Sequence, residues 1–210
     1  MSTARIVITT TTITKLLQLA SPALPVGAYS YSQGLEAAIE AGIVHDAASA
    51  ERWIGDVLEH SLGGMEAPLL WRMLHGEDLN DLFLASRETA ELRAETLQMG
   101  HSLARLLKDL DIPAPDGEIA YPAAFALAAR HWQLDARQAL TAYLWSWAEN
   151  QVLAAVKAVP LGQTQGQKML LALGRKIDDM AIPEHLCNFA PNLAILSTKH
   201  ETQYSRLFRS

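Results

Sequence analysis

Ala136-Arg-Gln-Ala-Leu-Thr-Ala-Tyr-Leu-Trp-Ser-Trp-Ala-Glu-Asn-Gln-Val-Leu-Ala-Ala-Val-Lys-Ala-Val159 is the stretch on which the fold turns. It is far too long for one strand, and it is apolar nearly all round, so it reads as a helix at the centre of the molecule. Asp135, with Gln138 three residues later, is the start signal: a carboxylate before the first turn accepts from an amide that has no intrahelical partner. Pro160 and Gly162 are the stop. Glu149, Asn150, Gln151 and Lys157 interrupt the run, and each is costly at the centre of a bilayer. The stretch is therefore a core helix, and no membrane partner is expected.

Outward from this helix the same periodicity recurs. After it, Gln163 to Ala181 turns Met169, Leu170, Leu173 and Ile177 to one side. Before it, Arg87 to Leu110 places Leu92, Thr96, Met99, Leu103, Leu106 and Leu110 along a narrow seam and ends at Asp111-Ile-Pro-Ala-Pro-Asp-Gly117. Gly100 inside that helix costs about 1 kcal/mol relative to alanine, which predicts close approach of another backbone. Glu51 to Leu62 carries Trp53, Ile54, Val57, Leu58 and Leu62 opposite Glu51, Arg52, Asp56 and Glu59. Gly42, the pair Gly63 and Gly64, and Gly76 read as helix ends, and Pro68 suits a first turn, where its missing N–H costs nothing. Alternation of apolar and polar residues is confined to the first dozen positions, and no repeat is present. The expected fold is all-α, a single globular helical bundle over 1–210. Residues 1–11 are expected to be flexible, and 182–210 to form a partly irregular tail whose order depends on a partner.

Half of the 210 residues are hydrophobic and 19% are charged, enough apolar surface to offset the entropy of ordering a core. The net charge of −6, without a basic stripe, argues against nucleic acid as a partner. A single cysteine, Cys187, permits no intrachain disulfide and fits a reducing compartment. The first residues lack the apolar core and cleavage site of a secretory signal, so the cytoplasm is the expected location.

Catalytic patterns are hard to find. No phosphate-binding glycine loop ends in Lys and Ser or Thr; Gly162-Gln-Thr-Gln-Gly-Gln-Lys168 lacks both the spacing and the hydroxyl. His45, His60, His75, His101 and His131 are scattered singly, with no paired spacing on a helix face. His185-Leu-Cys187, with His200 further along, is the best metal-ligand pattern, but a structural site normally takes four protein ligands. Asp178-Asp179 and Glu77-Asp78 are adjacent in sequence, so on a helix they diverge by roughly 100° rather than converging on a substrate. No cofactor, no catalytic residue and no enzymatic activity are expected.

Three segments carry more specific sequence. Ser21-Pro-Ala-Leu-Pro-Val-Gly-Ala-Tyr-Ser-Tyr-Ser-Gln-Gly-Leu-Glu36 joins a stiff turn to a helix start; Ala155-Val-Lys-Ala-Val-Pro-Leu-Gly-Gln163 ends the central helix; His200-Glu-Thr-Gln-Tyr-Ser-Arg-Leu-Phe-Arg-Ser210 forms the tail. Together they resemble the UreF family of urease accessory proteins over essentially the whole chain. The resemblance implies an adaptor that joins UreD (UreH) and the GTPase UreG in activating apo-urease by nickel insertion, and it implies a homodimer. It leaves the GTPase and the principal nickel carrier to other chains. A different class, direct nickel handling by His185, Cys187 and His200, stands as the alternative.

Residue chemistry bears on the same segments. Pro22, Pro25 and Gly27 serve either architecture or partner contact, and Tyr29 and Tyr31 are read as an exposed pair. Lys157 is the lone charge near the end of an apolar helix, so it snorkels, pairs or meets an interface. Tyr204, Arg206, Leu207, Phe208 and Arg209, before Ser210, concentrate residue types that interfaces favour. Docking on a partner is the expectation, and folding back onto the chain's own core is the competing one.

Overall fold

The computed structural model describes residues 10–210, and the expected flexibility of residues 1–11 lies outside them except at Thr10 and Thr11, which begin the first helix. Among the described residues the chain is helical and has no strand. In order the helices are α1 (Thr10–Ala20), α2 (Leu35–Glu40), α3 (Ala47–Val57), α4 (Ala67–Leu74), α5 (Asn80–Ala85), α6 (Ala90–Asp109), α7 (Tyr121–His131), α8 (Ala136–Ala158), α9 (Gln163–Asp179) and α10 (Pro191–His200). Helix α8 touches α1, α2, α3, α4 and α9. It is the central helix its composition predicts, begun by the Gln138 amide donating to Asp135 Oδ1 at 3.0 Å. Leu140 and Leu144 of α8 are fully buried, as are Ile54 of α3, Leu69 and Leu70 of α4, Leu103 and Leu107 of α6, and Phe125 of α7. No helix among the described residues is long and apolar enough to cross a membrane.

Gly100 is explained by packing. A Cβ there would lie 2.0 Å from the Ile119 carbonyl oxygen and 2.8 Å from the Ala120 carbonyl carbon, so α6 runs directly against the backbone that leads into α7. Gly42 caps α2 as expected: at φ +70 it adopts the left-handed conformation while the Ile43 amide reaches back to the Ala38 carbonyl at 2.9 Å.

One expectation is corrected. Gly63 and Gly64 do not end a helix; α3 runs without a break through a π-helical segment, Leu58–Glu66, into α4. The glycines serve a neighbour instead, since a Cβ on Gly64 would sit 2.1 Å from the Cys187 carbonyl oxygen. The Gly64 carbonyl accepts from the Cys187 amide at 2.9 Å. This packing fastens the segment after α9 to the helix surface. The segment 182–210, expected to be partly irregular, contains one regular helix, α10, with Pro191 in its first turn, where its fixed φ is already helical, between stretches without regular structure.

Candidate functional site

The tail lies on the chain's own body. Its backbone is held by the Glu36 carboxylate at the start of α2: Oε1 accepts from the Leu207 amide at 2.6 Å, and Oε2 from the Phe208 amide at 3.0 Å. The Arg209 amide donates to the Ser30 carbonyl at 2.7 Å. The Ser210 carbonyl oxygen accepts from the Ser32 amide at 2.6 Å, the Ser32 hydroxyl at 2.5 Å and the Gln33 amide at 3.0 Å. Phe208 is buried, and Lys157 Nζ lies 4.9 Å from the centre of its ring, so the end of α8 clamps the tail through a cation–π contact.

Beneath the tail runs a row of buried polar groups. His200 is fully buried with Nε2 3.1 Å from Glu36 Oε2 and Nδ1 2.8 Å from Glu91 Oε2, while Arg206 Nη1 reaches Glu91 Oε1 at 2.6 Å. Glu95, one turn along α6 from Glu91, accepts from Ser210 Oγ at 2.9 Å and from Gln33 Nε2 at 2.7 Å. Gln33 is non-glycine yet sits at φ +52, a strained conformation that turns its amide toward Ser210. Its side-chain oxygen meanwhile accepts from Trp147 Nε1 at 2.6 Å. Burial pushes the Glu95 carboxyl up to about 7, despite the donors from Gln33 and Ser210. Deeper still, Glu66 at the end of the π-helical segment pairs with Arg87 Nη1 at 3.0 Å and accepts from the Tyr143 hydroxyl, whose ionisation burial makes still harder.

The sequence-derived candidates divide between surface and interior. Tyr204 is fully exposed, Leu207 is 60% exposed, Tyr29 is 74% exposed, and Arg206, Arg209 and Lys157 also reach solvent. Phe208 and Ser210 are buried, and Tyr31 is buried at 6% rather than exposed beside Tyr29. The reason is local: the Tyr31 carbonyl accepts from the Asn150 side chain at 3.2 Å, which draws that part of the loop onto α8. His185 and Cys187 are exposed on the segment before α10, whereas His200 is enclosed with both ring nitrogens engaged by carboxylates. His200 therefore directs no lone pair at a metal shared with Cys187, and no group of three metal-ligating side chains occurs among the described residues.

Sequence reasoning missed Glu36, Glu66, Arg87, Glu91 and Glu95. One signal was present. Glu95 falls three residues after Leu92 and four before Met99, inside the apolar seam of α6, where a carboxylate has to be buried. Arg87 carried no such signal: periodicity reads it as the first residue of the helix, whereas α6 begins at Ala90 and leaves Arg87 ahead of it.

Glu36→Gln tests the backbone grip on the tail. It replaces one acceptor oxygen with an NH₂ facing donors, and charge-assisted bonds are worth roughly 1.5–3 kcal/mol each. Amide exchange at Leu207 and Phe208 should accelerate at least about tenfold, and trypsin should cleave faster after Arg206. Unchanged protection would show that Phe208 packing and the bonds to Ser30, Ser32 and Gln33 hold the tail without Glu36.

Comparison with known proteins points one way. The model of the family described as UreF matches residues 44–174, from just before α3 into α9. A urease accessory protein UreF from an Azoarcus species is 56% identical, with 93% of this chain and 94% of the relative covered. The chain belongs to the UreF family. Two further members, from Dechloromonas aromatica and Cupriavidus taiwanensis, each described as urease accessory protein UreF, are 50% and 51% identical. The first covers 94% of this chain and 97% of its own length, the second 93% and 96%. In this UreF-family chain Glu36, His200 and the tail lie outside the span matched by the family model, while Glu66, Arg87, Glu91 and Glu95 lie inside it.

Proposed function

We propose that the chain works in urease maturation as a non-catalytic adaptor in the cytoplasm. As a homodimer it bridges UreD (UreH) and the GTPase UreG while apo-urease receives its nickel. Membership of a family of urease accessory proteins supports the process. The observation that carries the adaptor role is the tail. Its backbone is pinned by Glu36 and Ser32, yet it turns Tyr204 and Leu207 fully or largely into solvent. The Gln203 amide donates to the His200 carbonyl at 3.0 Å and the Leu207 amide to Glu36 Oε1 at 2.6 Å, so the chain is held on either side of Tyr204 and a partner that covers the ring meets a smaller backbone entropy cost. Tyr204, Arg206, Leu207 and Tyr29 form the partner-facing surface in this reading. Phe208, Arg209, Ser210, Tyr31 and Lys157 set its shape from behind.

Co-expression with UreD and UreG, followed by affinity capture and size-exclusion chromatography, tests the assignment. Wild-type chain should travel with both partners. The double variant Tyr204→Ala/Leu207→Ala should recover UreD at least about tenfold less well, since buried aromatic anchors carry most interface energy. Its melting temperature should be unchanged, because both side chains are exposed. Full recovery by the double variant removes the tail from the interface, and a wild-type chain that elutes alone removes the bridging role.

A further inference from the structure

Glu95 differs from the other carboxylates near the tail. Glu91 has Arg206 and His200, Glu36 has His200 and two backbone amides, and Glu66 has Arg87. Glu95 touches only uncharged donors, the Gln33 amide and the Ser210 hydroxyl, and the tail itself closes over it. We propose that Glu95 is a proton-operated latch: residues 207–210 dock most tightly when this carboxyl is protonated, and docking weakens when it ionises. The proposal concerns the isolated chain and holds whatever partner the tail meets.

The chemistry follows from the hydrogen-bond inventory. A protonated Glu95 keeps one oxygen as acceptor for Gln33 and directs its O–H at Ser210 Oγ, which accepts as readily as it donates. An ionised Glu95 keeps both donors but places a charge under the tail with no cation in contact, and burying such a charge is costly. Lifting the tail lets water reach the carboxylate and relieves that cost. Docking and proton uptake are therefore linked, and each strengthens the other.

Other ionisable groups surround this carboxyl. Glu66 of the π-helical segment opposes its charge and Arg87 favours it, both from beyond contact distance. Tyr31 of the loop before α2 interacts with both Glu95 and Arg209. Glu91 shares α6, Arg206 lies in the tail, and Glu36 and His200 lie behind it on α2 and α10. Tyr121 of α7 and Tyr143 of α8 are neutral phenols, their ionisation opposed by burial and by Glu66.

The sign is fixed by the direction of the shift. Glu95 in the docked chain is raised from 4.5 to about 7. Its contribution to docking is thus complete below the solvated value and is lost as pH rises through the docked one. Linkage over that interval predicts that docking weakens roughly twentyfold between pH 5.5 and 7.5.

Hydrogen exchange of the amides of residues 207–209, corrected for the intrinsic effect of pH, reads the opening equilibrium directly. In the wild type, protection should fall roughly twentyfold over that interval. In Glu95→Gln, a neutral isostere at every pH, protection should stay level. An equal slope in the two proteins, a level wild type, or protection that rises with pH would each overturn the latch. Should Glu95→Gln fold poorly, carboxyl-carbon NMR of the wild type decides the question. A Glu95 midpoint near 7 supports the latch, and one near 4.5 ends it.

Discussion

Arg87→Met should lower the melting temperature by roughly 10 °C, the largest loss expected from any single side chain beneath the tail. Arg87 is nine-tenths buried and is the cation that Glu66 meets, at 3.0 Å. Methionine fills comparable space but leaves the carboxylate facing only the Tyr143 hydroxyl, and breaking a buried pair from one side costs about 3–5 kcal/mol. A partial offset comes from the Arg87 Nε donor, which is buried without an acceptor among the described residues and disappears with the guanidinium. Arg87 also lies over the Phe83 ring, 4.2 Å from its centre, so some packing goes with the charge. The double variant Arg87→Met/Glu66→Gln should recover about half of the loss, because no buried charge then remains. Scanning calorimetry of the three proteins provides the check. A single variant that melts within about 3 °C of wild type would mean that the Arg87–Glu66 pair contributes little to stability.

Gly100→Ala should be the second severe change, although alanine favours a helix interior by about 1 kcal/mol. The added methyl meets the Ile119 carbonyl and the Ala120 backbone rather than a side chain that can swing aside. Helices α6 and α7 must separate, and overpacking of this kind costs roughly 3 kcal/mol, which in a chain of this length is on the order of 10 °C. Gly117→Ala is the matched control, since a Cβ there meets nothing within 4 Å. If Gly100→Ala matched that control, the contact between α6 and the chain leading into α7 would have to be looser than the structure shows.

The contrast between these two positions explains how much was legible in the sequence. Gly100 stands out because a residue that weakens a helix was retained inside one, and a local departure from propensity points to a local close approach. Helix α8 and its Asp135 cap were equally legible, since periodicity and capping are written into neighbouring residues. The π-helical continuation through Gly63 and Gly64 was not. Glycine pairs commonly end helices, and only the distant chain after α9, with Met180 beside Gly63 and Cys187 against Gly64, shows why these two lie within one. The tail shows the same limit. Tyr204 to Ser210 has the composition of an interface, and that composition does not distinguish a partner's surface from the chain's own, which here includes Glu36, Ser32 and Glu95. Glu95 itself was visible as a carboxylate on an apolar seam, whereas its function as an anchor depends on residues 33 and 210, far away along the chain.

Those distances along the chain also set a schedule. On the ribosome, Ser32, Gln33 and Glu36 emerge well before Glu95, and the groups that cover them, His200 and Leu207 to Ser210, follow more than a hundred residues after Glu95. Until those residues follow, the half-built bundle must keep these carboxylates open to water. The polar floor is then a safeguard: it gives an apolar core a wettable face until residues 207–210 fold over it.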